Sequence, residues 1–196
     1  METKHSWWDQ FQDEHAAWSL ANFGQQQPYQ MVLGMIEELG ELDEALNELH
    51  DIVEASSEEW GRALGKVQDA IGDVIVYMCG FCTLTWRRLG PLVLEQVDHD
   101  MDSLDVHWGL THLMRDLAHT WLKFEQAIRG ASDEDVTVAL RHVVHTCLCL
   151  WKQVQDEPRS SLEEAVKAVW ERVVQKRDWR NDPEFGKAQS DTPSKE

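Results

Sequence analysis

The sequence predicts an all-α bundle. Three observations lead there: apolar residues recur at helical spacing along nearly the whole chain, period-2 alternation is almost absent, and Gly and Pro fall between the periodic segments. Ser6-x-x-Asp9 caps a first helix running to about Ala21. Asn22-Phe-Gly-Gln-Gln-Gln-Pro28 reads as a polar loop, and a long helix follows from about Tyr29 to Glu54. Ser56-Ser57-Glu58-Glu59 restarts the chain into a helix that reaches about Arg88, where Gly90-Pro91 breaks it. A fourth helix spans about Ser103 to Ile128 and stops at Gly130. Ser132-Asp133 caps a fifth, which runs to about Gln155 ahead of Pro158. Ser161-x-x-Glu164 is a capping box for the last, to about Lys176. From Asn181 the composition of Asp, Pro, Gly, Lys, Ser and Thr reads as a disordered tail over 181–196. Residues 1–180 are thus expected to form one domain.

Bulk properties narrow the function. At 196 residues, with 42% hydrophobic residues and ten Trp, the chain has enough apolar mass for one real core. A formal charge of −18 argues against binding a nucleic-acid polymer, whose phosphates would be repelled. Small phosphorylated ligands remain open, with metal ions to bridge two negative partners. Cys79, Cys82, Cys147 and Cys149 lie in apolar helical segments, and Cys-x-Cys is the wrong second half for a standard zinc site. They read as buried, reduced thiols of a cytoplasmic protein. The N-terminus carries no apolar h-region and no run approaches 18 apolar residues, so neither a signal peptide nor a membrane span is expected.

Two acidic clusters carry the chemistry. Met31–Ala55 holds eight carboxylates and no Lys or Arg. Within it Glu37 and Glu41 are i,i+4 and Glu38 and Glu41 are i,i+3, so three acids share one side of a helix. Asp69 and Asp73 are again i,i+4. Like charges at that spacing destabilise a bare helix by about 0.2–0.5 kcal/mol per pair. Mg2+ or Mn2+, which prefer hard oxygen donors, would remove that penalty. Ile36, Leu39 and Leu42 beside the first cluster, and Ile71, Val74 and Ile75 beside the second, put the acids at the edge of an apolar stripe. A metal site is the expectation over a plain solvated face.

An internal match adds a second layer. Gly34–Ala45 aligns without gaps on Gly109–Thr120, so that Glu41 meets Asp116 while Glu37 and Glu38 meet His112 and Leu113. With a short gap, Asp69–Asp73 falls on Arg141–His145. Two repeats, about 29–90 and 103–155, would make a pseudo-duplicated four-helix core with one working acid site. His142-x-x-His145 and Asp116-x-x-His119 have helical spacing, yet no matching second ligand set is apparent.

Glu37-Glu38-Leu-Gly-Glu41 followed by Asp69-Ala-Ile-Gly-Asp73 resembles the MazG-like all-α nucleoside triphosphate pyrophosphohydrolases, whose signature is Glu-Glu-x-x-Glu and then Glu-x-x-Asp. The first half matches completely. In the second, Asp73 matches and Ala70 stands in the Glu slot, with Asp69 one residue earlier as its replacement. Asn22-Phe-Gly-Gln25, Leu122–Gly130 and the closing segment Val169–Trp179 resemble the family as well, so the likeness covers about residues 18–180.

The resemblance implies a MazG-like bundle that hydrolyses a nucleoside triphosphate to the monophosphate and pyrophosphate, with two or more Mg2+ or Mn2+ ions per site. It favours Glu38, Glu41 and Asp73 as direct ligands, with Glu37 and Asp69 in support, and Glu37 or Glu38 taking the proton of the attacking water. Lys123, Arg129, Lys176, Arg177 and Arg180 are candidates for the triphosphate, and Trp18, Asn22, Phe23 and Gln25 for the base. The implied setting is nucleotide-pool control in bacteria or their phages, on dGTP, dUTP or dCTP, by a homodimer or homotetramer. The competing expectation is a catalytically silent nucleotide-binding or regulatory protein on the same fold. A di-iron carboxylate bundle fits poorly, because Glu-x-x-His occurs only at Glu2–His5.

Overall fold

The computed structural model describes residues 6–51, 56–97, 106–130, 132–154 and 161–176. Among these the chain is all-α, with seven helices and no strand. They are α1 (Trp7–Phe23), α2 (Pro28–Asp51), α3 (Ser57–Leu84), α4 (Leu89–Val97), α5 (Val106–Ile128), α6 (Glu134–Gln153) and α7 (Leu162–Lys176). Capping boxes open three of them as the spacing predicts: Ser6 with Asp9, Ser56 with Glu59, and Ser161 with Glu164. The expected tail at 181–196 lies outside the described residues.

Three boundaries differ from expectation, each for a local reason. The first helix continues through Asn22 and Phe23, because the only breaker is Gly24 at φ +69°, whose N–H closes the helix on the Leu20 carbonyl at 2.9 Å. The third helix stops at Leu84, not Arg88. Thr85 turns its hydroxyl onto the Phe81 carbonyl, and Trp86 takes φ +60°. Gly90-Pro91 then starts a helix where a break was expected: Pro91 sits in the first turn of α4, where a missing N–H leaves nothing unpaired. Asp133 does precede α6, but its side chain makes no cap; it pairs with Arg87 instead.

Helix α3 is the centre of the bundle. It packs against α1, α2, α4, α6 and α7, while α5 pairs with α6 and α2 also meets α5. Phe81, Ile71, Ile75 and Met78 of α3 are fully buried against Met35 and Leu42 of α2 and Phe11 of α1. Among the described residues α3 is the one helix long and apolar enough to cross a membrane, and 67% of its apolar window is buried by its neighbours, so the core accounts for that apolarity. Cys79, Cys82, Cys147 and Cys149 are buried and form no disulfide, as expected. Burial pushes the Cys82 and Cys147 thiols up to about 12, which keeps them protonated.

Two glycines set how closely helices approach. At Gly34 of α2 any Cβ would run into the Tyr77 ring of α3. At Gly72 of α3 it would stand 2.6 Å from Cγ2 of Val169, a buried residue of α7. Gly65, in the same helix, faces open space. Gly72→Val is therefore expected to lower stability by about 1–3 kcal/mol through overpacking. Gly65→Ala is expected to raise it by up to about 1 kcal/mol through helix propensity. Urea midpoints of the two variants moving the same way would show that the α3–α7 contact is not tight.

Candidate metal and nucleotide site

The acids of α2 and α3 meet because both helices are amphipathic with the carboxylates at the margin of the buried stripe. Leu39 and Leu42 of α2 are buried in one core with Ile71 and Val74 of α3, and Glu38 and Asp73 beside them come close enough to repel each other. They open onto a cavity of about 530 Å³. Glu37, Glu38, Glu41 and Asp73 line it together with Trp18, Phe23, Tyr29, Tyr77 and Val173, and Tyr29 precedes Glu37 on α2 by about two turns. Six of the residues singled out in the sequence are thus gathered in one place: Trp18, Phe23, Glu37, Glu38, Glu41 and Asp73.

Electrostatics single out Glu38. Partial burial raises its carboxyl from 4.5 to about 8, and the nearby carboxylates of Asp73, Glu41 and Glu37 push the same way. Glu37 and Glu41 remain exposed at the rim. A half-buried acid beside three others is a place where a divalent cation would relieve the repulsion. The donors are all hard oxygens, which fits Mg2+ or Mn2+. Among the described residues no three His, Cys, Asp or Glu side chains already meet as a metal shell. Mg2+ needs no such cage, since it keeps several waters and takes one or two carboxylates together with substrate phosphates.

The remaining candidates are placed elsewhere. Asp69 is not a wall of the cavity. Its carboxylate accepts two hydrogen bonds from the Arg172 guanidinium of α7, one of them 2.6 Å long, so it anchors α7 beside Asp73 rather than offering a free ligand. Asn22 donates to the Trp18 carbonyl at 2.8 Å and so finishes its own helix. Gln25 lines a neighbouring cavity of about 440 Å³, behind a wall shared through His15, Ser19 and Met31. Lys123 pairs with Asp135 at 3.2 Å, and exposed Arg129 with Glu125 at 3.5 Å; neither lines the acid cavity. Arg177, Arg180 and the side chain of Lys176 lie outside the described residues.

Three contributors escaped the sequence reading. Arg172 sits inside the closing segment Val169–Trp179, but only its pairing with Asp69 brings it to the site. Tyr77 lies four residues beyond Asp73, on the same face of α3. His15, one turn before Trp18, lines the cavity and is 4% exposed. It packs between Trp18 and Trp170, with ring centroids at 6.2 and 5.4 Å. Burial lowers its pKa to about 4, so it is neutral at physiological pH, with one donor and one acceptor nitrogen. His15 Nδ1 and Trp18 Nε1 are both buried without a hydrogen-bond partner. Orphaned buried polar atoms cost about 1–3 kcal/mol each, and here two of them belong to the wall of one cavity.

Comparison of the chain with protein-family models, with curated proteins and with solved structures finds no match in any of the three.

Proposed function

We propose that the protein hydrolyses a nucleoside triphosphate, most naturally a deoxynucleotide such as dGTP, dUTP or dCTP, to the monophosphate and pyrophosphate, with Mg2+ or Mn2+. One observation carries this reading: a single cavity is lined both by four carboxylates, Glu37, Glu38, Glu41 and Asp73, and by the aromatic side chains of Trp18, Phe23, Tyr29 and Tyr77. A nucleotide with its metal ions needs both kinds of wall. The volume of about 530 Å³ lies in the range of ligand sites.

The two kinds of wall have distinct tasks. Trp18 and Phe23, in edge contact at 5.4 Å, offer apolar surface to a base. Glu38, Glu41 and Asp73 would hold the ions, which supply charge neutralisation for the phosphates and an acidified water. Glu38, half-buried among the acids, or exposed Glu37 beside it would take up a proton from water in the cavity. The Asp69–Arg172 pair fixes α7 against α3, which holds Val173 over the cavity and a guanidinium charge near the acids. Tyr29, Leu33 and Ile36, exposed in succession on α2, support assembly into at least a dimer.

The test is product analysis. Purified protein is incubated with each ribo- and deoxyribonucleoside triphosphate, with Mg2+, with Mn2+ and with EDTA, and products are separated by ion exchange. Metal-dependent monophosphate and pyrophosphate from one or two nucleotides is the expected result. Orthophosphate as the product would overturn the reaction type. Intact nucleotides throughout, together with tight binding of one of them, would establish the second reading, a catalytically silent nucleotide-binding or regulatory protein. Ala70 in the fourth ligand slot favours that alternative.

A further inference from the structure

Away from the acid cavity, the facing surfaces of α5 and α6 enclose a second one, of about 290 Å³. Its walls include His112 and Asp116 from α5 and His142, His145 and Cys149 from α6. The spacings explain the convergence: 112 and 116 are i,i+4, while 142, 145 and 149 follow i, i+3, i+7, so each set shares one helix face. An adjoining cavity shares Arg115, Asp116 and His142 and adds His119. Thus the two histidine spacings that had no partner in the sequence are partners of each other. In the internal alignment, His112, Asp116 and His145 also occupy the places of Glu37, Glu41 and Asp73. The carboxylate-rich set of one helix pair is answered by an imidazole- and thiol-containing set in the other.

We propose that this second cavity is a site for a borderline divalent transition-metal ion, of the Zn2+ class, held by Asp116, His145 and Cys149 with His112 or His142 as the fourth ligand. The donor types select the ion: imidazole, thiolate and a single carboxylate suit Zn2+, where an all-oxygen set suits Mg2+. The geometry agrees. Cys149 Sγ lies 3.5 Å from His145 Nε2. Two ligands of one tetrahedral ion, with Zn–S of about 2.3 Å and Zn–N of about 2.0–2.1 Å, stand about 3.5–3.6 Å apart. Asp116 is a 4%-exposed carboxylate held by Arg115 and Thr146, which line the same cavity. Its Oδ1 accepts from Nε and Nη2 of Arg115 at 3.0 and 2.9 Å. Its Oδ2 lies 3.4 Å from the hydroxyl of Thr146, the neighbour of His145 on α6. That arrangement is the usual outer support of a ligating carboxylate. No three donors are already gathered at one point, so closing the shell takes a change of side-chain rotamer at Asp116 as well as at His112 or His142, the two histidines nearer the solvent. Binding deprotonates the Cys149 thiol and releases that proton to solvent.

This site stands apart from the proposed hydrolysis, and its test is built to keep the two separate. Full-length protein carrying Glu38→Gln and Asp73→Asn, which disable the acid cavity, is titrated with Co2+ as a spectroscopic substitute for Zn2+. The expected result is one ion per chain, with the intense visible bands of tetrahedral cobalt and a sulfur-to-cobalt charge-transfer band. Cys149→Ser, a near-isosteric change, should remove the charge-transfer band. It should also weaken Zn2+ binding by at least the roughly 10–100-fold that loss of a mere supporting partner costs. His142→Ala, at an exposed position, should weaken binding without risk to folding if His142 is the fourth ligand; His112→Ala tests the alternative. Zn2+ should raise Tm in the parent and not in Cys149→Ser. The idea is overturned if Co2+ gives only weak octahedral bands, or if the bands survive Cys149→Ser. It also fails if inorganic phosphate, and not Zn2+, shifts Tm, which would make the cavity an anion site of Arg115 and the histidines.

Discussion

Glu38→Gln is expected to lower turnover by at least about 10²-fold and, in the same protein, to raise the melting temperature of the metal-free form. The two effects share one cause. On the proposed chemistry Glu38 takes the proton of the attacking water, a contribution of about 10²–10⁴-fold, and also helps hold the ions. In the metal-free protein the same carboxylate is half-buried and faces Asp73, Glu41 and Glu37. A neutral amide keeps the shape and removes the cost of holding that carboxyl protonated at neutral pH, which the ionised unfolded chain does not bear. Activity lost with stability gained is the signature of a site built for function at the expense of the fold. Glu41→Gln should move both quantities in the same directions by less, because Glu41 is exposed. Wild-type rates in Glu38→Gln would remove the acid cavity from the chemistry. A fall in metal-free Tm would show that Glu38 is held by a favourable contact instead.

The second large effect is a pH-dependent coupling between metal and proton. Glu38 carries a folded-state pKa raised from 4.5 to about 8, by burial first and by Asp73, Glu41 and Glu37 after it. Below about pH 4.5 the group is protonated in both folded and unfolded chains, and its contribution to stability is fully present. As pH rises from 4.5 toward 8 the unfolded chain loses the proton that the folded one keeps, so stability declines through this window and levels off above it. A divalent ion binds the ionised form. At pH 7 its binding should therefore expel close to one proton, and its apparent affinity should climb with pH until about 8. Calorimetric titration of Mg2+ or Mn2+ in two buffers of different ionisation enthalpy reads that proton directly. Equal heats in both buffers would mean that Glu38 is already ionised or takes no part. Glu38→Gln should flatten both the pH dependence of stability and the buffer dependence of the heat.

Local signals in the sequence reached far. Three Ser-x-x-acid boxes located helix starts correctly, because the same few atoms that read as a motif make the cap. The carboxylates of α2 and α3 were legible because a 3.6-residue period fixes which acids share a face and on which side of the apolar stripe they lie. What failed was pairing across distance. Lys123 and Arg129 looked available for phosphate until α6 supplied Asp135 to the one and α5 itself supplied Glu125 to the other. Asp69 looked like a ligand until Arg172, 103 residues on, took its carboxylate. His142-x-x-His145 looked idle because its counterpart on α5 is visible only once the two faces meet. Gly90-Pro91 misled for another reason. The same dipeptide stops a helix or begins one according to the turn before it, and that turn is decided by Thr85 and Trp86.

The Asp69–Arg172 pair and the Gly72–Val169 contact have a consequence for the chain as it is made. Every carboxylate of the acid cavity lies between residues 37 and 73, so the hairpin of α2 and α3 can leave the ribosome and find its register early. The element that seats against Gly72 and neutralises Asp69 is α7, the last helix among the described residues. Until it emerges, a long apolar face of α3 waits uncovered beside a row of unbalanced acids. A nascent or truncated product lacking α7 would then be the species that chaperones and proteases see, and the arrival of Arg172 would mark the moment at which the molecule leaves their hands.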